Sequence, residues 1–338
     1  MTEPILSVRD LRVDFPTDDG VVSAVRGVSF DLHRGEVLGI VGESGCGKSV
    51  TNMAIMGLLP KTARVSGSVR LGDDELVGRY PAEMRPVRGR RISMIFQDPM
   101  TSLNPVYSVG WQLVEAVRAH NDVSKDEARK RAVDLLALVG IPNPADRYSS
   151  YPHEFSGGMR QRVMIAMAIA NDPEILIADE PTTALDVTVQ AQILETLQRI
   201  RQETGTAIIF ITHDLGVLAG MADRLLVMYA GKVVESGAIE EVYDNPLMPY
   251  TIGLLGAIPG EQSHGRRLNQ IKGAPPSLMR IPAGCLFAPR CPLANDLCRS
   301  TAPVEVAASD AHGVSCHRVD QVRDASDRRA LFGSMGGD

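Results

Sequence analysis

Apolar and polar positions alternate over residues 5–13 and again over 21–32, with the acidic turn 17–20 (Thr-Asp-Asp-Gly) between them. That two-residue period predicts a strand meander. Residues 36–41 (EVLGIV) form a short apolar run that leads straight into a glycine-rich loop. Behind the loop, Val50, Met53, Ala54, Met56 and Gly57 recur at helical spacing, and the pattern stops near Pro60. From about 111 to 139 the period is helical, carried by Leu113, Val114, Val117, Ala128, Ala132, Leu135, Leu136 and Val139. Two strand–helix units follow, 175–178 before 187–201 and 207–211 before 215–222. Residues 225–229 and 232–235 predict a hairpin turned at Ala230-Gly231. Strands alternating with helices argue for an α/β fold with a parallel sheet and crossovers.

Composition adds an appendage to this picture. The chain has 338 residues, enough for one large domain with an extension or for two domains. After about residue 250 prolines and glycines become frequent (Pro259, Gly260, Gly273, Pro275, Pro276, Pro282, Gly284), so a boundary is expected near there. The net charge is −6 with no basic stripe, which argues against a protein that wraps nucleic acid. No run of about 18 apolar residues exists to span a bilayer, and the N-terminus lacks the basic and apolar stretches of a signal peptide. A cytoplasmic chain is expected, one that would reach a membrane by docking to a partner that spans it.

The chemistry starts in the glycine-rich loop. Gly42, Glu43, Ser44, Gly45, Cys46, Gly47, Lys48 and Ser49 fit the phosphate-loop pattern GxxxxGKS, with a strand before and a helix after. Its glycines let successive N–H groups point at an anion, and the helix N-terminus adds its dipole. Lys48 would bind the β- and γ-phosphates of ATP, and the Ser49 hydroxyl would ligate Mg2+. The plainer alternative, a glycine-rich turn that starts a helix, does not explain the Lys-Ser pair. Cys46 within the loop is either a redox-sensitive thiol or a small residue that fits, and the second reading is preferred. Residues 175–180 are an apolar strand ending in Asp179 and Glu180, the edge where open α/β sheets place ligand chemistry. Asp179 can hold the Mg2+ shell, and Glu180 can polarise the attacking water. His213 ends the next apolar strand and is read as a γ-phosphate contact rather than a structural histidine.

Residues 155–162 (FSGGMRQR) resemble the ABC signature LSGGQ followed by a basic helix. Ser156, Gly157 and Gly158 match, while Phe155 and Met159 stand where the pattern has Leu and Gln. In the order of that family, Gln97 matches the Q-loop glutamine, Ala184-Leu185-Asp186 the D-loop, His213 the switch histidine, and Phe15 the aromatic that stacks on adenine. The resemblance implies an ABC-type P-loop NTPase with a mixed or parallel sheet core, an antiparallel β subdomain and a helical subdomain at about 98–165. The ATPase domain would span 1–255 and the extension 256–338. It also implies that Val50 flanks the nucleotide, that Gln97 joins Ser49 and Asp179 around Mg2+, and that Glu180, His213 and Gln97 act in hydrolysis. Two such cassettes close head to tail, so each ATP lies between one phosphate loop and the other chain's signature.

Residues 97–105 (QDPMTSLNP), 245–251 (NPLMPYT) and 284–292 (GCLFAPRCP) are similar to the peptide and nickel importer ATPases. This narrower resemblance implies an ATPase that powers import of di- or oligopeptides. Its partners would be a second homologous ATPase, two transmembrane permease subunits and an extracytoplasmic binding protein, with the chain on the cytoplasmic face. A nickel or other small-solute importer of the same family is the alternative. Soluble ABC ATPases of nucleic-acid maintenance carry coiled coils or paired cassettes that are absent here, and those of iron–sulfur assembly lack a cysteine tail.

Cys285, Cys291, Cys298 and Cys316 remain, separated by 5, 6 and 17 residues. In a reducing compartment such a group binds metal more often than it forms disulfides. The gaps fit neither structural zinc pairs nor the common ferredoxin spacings, so spacing leaves the metal open. The resemblance favours a [4Fe–4S] cluster, with zinc as the alternative. The expected role is structural, a clamp on a tail with little apolar core, such that losing it leaves nucleotide affinity intact.

Overall fold

A computed structural model describes residues 3–98, 102–183, 185–257, 271–309, 311–325, 328 and 331. Pro99, Met100, Thr101, Ala184, Pro259 and Gly260, all named above, lie outside the described residues. The strands in chain order are β1 (Leu6–Thr17), β2 (Gly20–Leu32), β3 (Val37–Val41), β4 (Arg64–Leu71), β5 (Asp74–Glu75) and β6 (Ile92–Ile95). After the helical segment come β7 (Ile175–Asp179), β8 (Ala207–Thr212), β9 (Arg224–Tyr229), β10 (Lys232–Ala238), β11 (Val306–Ser309) and β12 (His312–Val314).

The chain divides into two compact units. The first comprises Met1–Ile5, Leu32–Val37 and Gly78–Ile211. Its sheet is parallel: β6 pairs with β7 (Ile92 opposite Ile175), and β7 with β8 (Ile175 opposite Ala207). Every residue of β7 and β8 is buried, which explains continuous apolar runs in place of alternation, because both faces of such strands are covered. The helices Val109–Arg118, Lys125–Leu138, Pro144–Arg147, Gly157–Ala168 and Val187–Thr204 belong to this unit. The stretch read as helical from 111 to 139 is two helices. The second starts at a capping box, in which the Ser124 hydroxyl accepts from Glu127 N and the Glu127 carboxylate accepts from Ser124 N.

The second unit comprises Leu6–Asp31, Leu38–Val77 and Thr212–Asp338. Its antiparallel sheet has the order β2-β1-β4-β5, with an irregularity in β1 between Arg9 and Arg12. Its other sheet runs β3-β9-β10-β12-β11. β3 and β9 are parallel, Leu38 opposite Arg224. β9 and β10 are a hairpin whose two turn residues, Ala230 (φ 47°) and Gly231 (φ 80°), are both left-handed, the twist that tight hairpins require. The C-terminal region supplies β11 and β12, and β12 pairs with β10 at Glu235–Val314 and Ser236–Gly313. Beneath that pairing, buried Glu235 accepts from the Leu247 N–H at 2.6 Å and meets His312 Nε2 at 2.8 Å. Among the described residues no helix is long and apolar enough to cross a membrane.

Candidate nucleotide site

In the second unit the fully buried β3 delivers the chain to the glycine-rich loop, and the helix Lys48–Ile55 leaves it. Gly47 has φ 103°, and a Cβ there would stand 2.5 Å from the Ala24 carbonyl oxygen. A Cβ at Gly42 would stand 2.2 Å from that of Met228. Neither position admits a side chain, so the glycines are fixed by close backbone approach as much as by turn geometry. No side chain caps the helix at Gly47, which leaves its N-terminal end to an anion. Lys48 is only 5% exposed; its Nζ donates to the carbonyls of Gly42 at 2.7 Å and Glu43 at 3.2 Å. Ser44 and Gly45 are exposed, and Ser49 and Val50 are half-buried. Burial pushes the Cys46 thiol up, against the pull of Lys48, so the loop does not activate it. His213 in this unit is exposed beyond the end of β8, and Phe15 is partly exposed on β1.

The first unit carries the acidic edge. Asp179 ends β7 and is buried. Glu180 follows in the left-handed region (φ 48°), with its N–H donating to the Ile211 carbonyl at 3.0 Å. A non-glycine residue in that conformation costs about 1–2 kcal/mol, a cost functional sites commonly retain to aim a side chain. Gln97 Nε2 donates to Glu180 Oε2 at 3.1 Å, and the Thr183 hydroxyl donates to the same oxygen at 2.9 Å. Two residues 83 positions apart in sequence are thus held together, and their carboxylate–amide pair can orient a water. Ser156 is exposed and caps the helix Gly157–Ala168 by accepting from Met159 N at 3.3 Å. A Cβ on Gly157 would meet nothing within 4 Å, whereas one on Gly158 would stand 2.6 Å from Val189. Asp186 accepts from Val189 N at 2.9 Å and so caps the helix Val187–Thr204, a local job that the D-loop assignment had not included.

Sequence reasoning missed Tyr250 and Arg290. Tyr250 Oη accepts from the Glu43 N–H at 2.8 Å. Arg290 grips the Glu43 carboxylate with both terminal nitrogens, at 2.6 and 2.8 Å. Both stand in segments that carry the resemblance to importer ATPases, 245–251 and 284–292, but neither segment has phosphate-binding character. The only hint was an acidic residue inside a phosphate loop, a charge that calls for a partner.

The four tail cysteines carry no disulfide and lie in the same unit as Arg290. Cys285 N donates to the Cys298 carbonyl at 2.8 Å. Burial pushes the thiols of Cys285, Cys291 and Cys316 up, to about 11 for Cys291 and about 12 for Cys316, and neighbouring thiols push in the same direction. Backbone N–H groups of Phe287, Leu293 and Arg318 bond to the sulfurs and oppose that shift. Soft donors with N–H groups aimed at them fit a thiolate-bound metal chemically. Among the described residues, however, no three His, Cys, Asp or Glu side chains stand as a set that could hold an ion.

Comparison with known proteins agrees with this layout. A family model described as ABC transporter matches residues 25–183, and one described as the C-terminal region of oligopeptide/dipeptide transporters matches 234–298. The dipeptide transport ATP-binding protein DppD of Bacillus subtilis is 54% identical over 94% of this chain and 96% of its own length. The oligopeptide transport ATP-binding protein OppD of Mycobacterium bovis is also 54% identical, over 96% of this chain, but the chain spans only 54% of that longer protein. The dimeric post-hydrolysis structure of the cassette MJ0796 with ADP and Pi superposes with a TM-score of 0.62 at 26% identity, covering 69% of this chain and 98% of that one. The phosphate loop, the glutamate-bearing strand edge and the matched C-terminal region lead to one conclusion: the chain belongs to the family of ATP-binding subunits of oligopeptide and dipeptide ABC transporters, ATPases coupled to transport.

Proposed function

We propose that this chain hydrolyses ATP to drive import of di- or oligopeptides, working as a pair of cassettes docked on two permease subunits at the cytoplasmic face of the membrane. The observation that supports it best is the Gln97–Glu180 hydrogen bond beside Asp179, together with a phosphate loop that keeps its lysine. Lys48 and the loop N–H groups take the phosphates, and Phe15 stacks on the base. Ser49, Asp179 and Gln97 would hold Mg2+, which supplies charge neutralisation of the phosphates when bound. Glu180 polarises the water, and Gln97 and His213 keep it and the γ-phosphate in register. Ser156, Gly157 and Gly158, exposed or half-exposed at a helix start, present N–H groups and one hydroxyl to the nucleotide of the second cassette, with Asp186 at the same junction. A homologous but distinct second ATPase and an extracytoplasmic binding protein complete the assembly.

Docking on a permease is supported by apolar surface in the first unit. A cleft of ≈ 430 Å³ is lined by Ile95, Phe96, Ser102, Met164, Met167 and Ala168. Val106, Tyr107 and Trp111 are exposed in the same unit, with the two rings stacked at 4.0 Å. Contiguous exposed apolar groups, such as the stacked Tyr107 and Trp111, mark interaction surfaces. For the tail, a [4Fe–4S] cluster on Cys285, Cys291, Cys298 and Cys316 is the reading that four reduced thiols and the resemblance support, with zinc as the alternative. Reconstitution with the permeases and partner ATPase tests the function: peptide uptake should depend on ATP and vanish when Glu180 is replaced by Gln. Uptake of nickel without peptide would move the chain to the neighbouring branch.

A further inference from the structure

Glu43 is the second residue of the phosphate loop, and three of its groups are held. Its N–H donates to Tyr250 Oη, its carbonyl accepts from Lys48, and its carboxylate is gripped by Arg290. The Arg290 side chain is 5% exposed and that of Glu43 25%. Arg290 is fixed in turn: Nε donates to the Lys272 carbonyl at 3.1 Å, and a terminal nitrogen donates to Tyr229 Oη at 3.3 Å. Its guanidinium lies 5.8 Å from the Tyr229 ring and 5.9 Å from that of Phe287. Those rings and Tyr250 form one aromatic cluster, with centroids 4.6–5.4 Å apart. Both Phe287 and Arg290 come from the short segment between Cys285 and Cys291.

A carboxylate in a loop built to receive a triphosphate repels its ligand unless a cation cancels it. A bidentate guanidinium does so and also fixes the carboxylate's direction. From this geometry we infer that Arg290 is a positioning residue of the nucleotide site: the C-terminal extension, through Arg290, neutralises Glu43 and braces the phosphate loop in its binding shape. The extension is then part of the nucleotide-binding apparatus, and the expectation that the tail can be disturbed without touching nucleotide affinity is replaced. The inference rests on reading the loop at 42–49 as the nucleotide site.

The test is equilibrium titration of the full chain with a fluorescent ATP analogue, alongside the thermal midpoint. Arg290→Met keeps the apolar stem against Phe287 and Tyr229 and removes the charge. It should weaken binding about tenfold, within the usual range of coupling between sites. Adding Glu43→Gln to it should recover most of that loss, and the defect of the single variant should shrink at high salt. A merely structural arginine would instead lower the midpoint equally in single and double variants and leave Kd alone. If Arg290→Met does not fold, Arg290→Lys carries the test, with a smaller rise in Kd that Glu43→Gln again relieves. An unchanged Kd in the folded variant, or a double variant as weak as the single, overturns the inference. Lys48→Ala separates the two ideas: if it weakens binding while Arg290→Met does not, only the brace is wrong, and if neither does, the loop is not the nucleotide site.

Discussion

Glu180 is held by two hydrogen bonds to one oxygen and by a backbone in the left-handed region. Backbone strain of this kind is commonly retained at functional sites. Replacing it by Gln should cut ATP turnover by roughly 10²–10⁴, the usual worth of a general base, with little change in nucleotide affinity. Steady-state turnover and a binding titration separate these effects, and undiminished turnover would remove Glu180 from the mechanism. Lys48 behaves differently, because its ammonium already sits on the loop carbonyls of Gly42 and Glu43. Lys48→Ala should therefore weaken binding as well as turnover, and equal affinity in the titration would show that the ammonium does not reach the phosphates. Both residues were legible in the sequence, since a strand–loop–Lys-Ser–helix pattern and an apolar strand ending in two acids each name their chemistry locally. Arg290 was not, because its partner lies 247 positions away.

At the level of elements, helix starts follow their caps. Ser124, Ser156 and Asp186 each accept a backbone N–H of the first turn. This is why the stretch of helical period between 111 and 139 holds two helices: periodicity shows which face is buried, while the capping box shows where a helix begins. The pairing of β10 with β12 was invisible, because β12 has three residues and no alternation to detect. What holds it is the buried Glu235, shared by the Leu247 N–H and His312 Nε2. Glu235→Ala leaves both groups buried without an acceptor and should cost roughly 2–4 kcal/mol. Denaturant midpoints measure that loss, and one under about 0.5 kcal/mol would show that the pair is ornamental.

For the whole molecule, the function proposed above has the signature face a partner's nucleotide, so that one cassette does not complete its own site. Specific ATPase activity of the isolated chain should be low and should rise with protein concentration, or on adding the partner ATPase. Activity of a verified monomer that is independent of concentration would contradict the shared site. The tail makes a second expectation at this scale. Anaerobically purified protein should be brown, with about four irons and four sulfides per chain. Cys285→Ser or Cys316→Ser should bleach it, while Cys46→Ser should not, because Cys46 belongs to the phosphate loop and not to the tail. One zinc and no iron by elemental analysis would assign the alternative metal, and neither metal would leave four free thiols.

The sequence alone determined the fold class, the phosphate loop, the acidic strand edge and the family, because each depends on residues adjacent in the chain or on a period a few residues long. The tertiary structure alone decided that Gln97 meets Glu180, that β12 closes onto β10 over a buried Glu235, and that Arg290 grips Glu43. These are pairings across 77 to 247 positions. Their energy comes from burial and charge geometry that exist only once the chain has folded, so no local pattern encodes them.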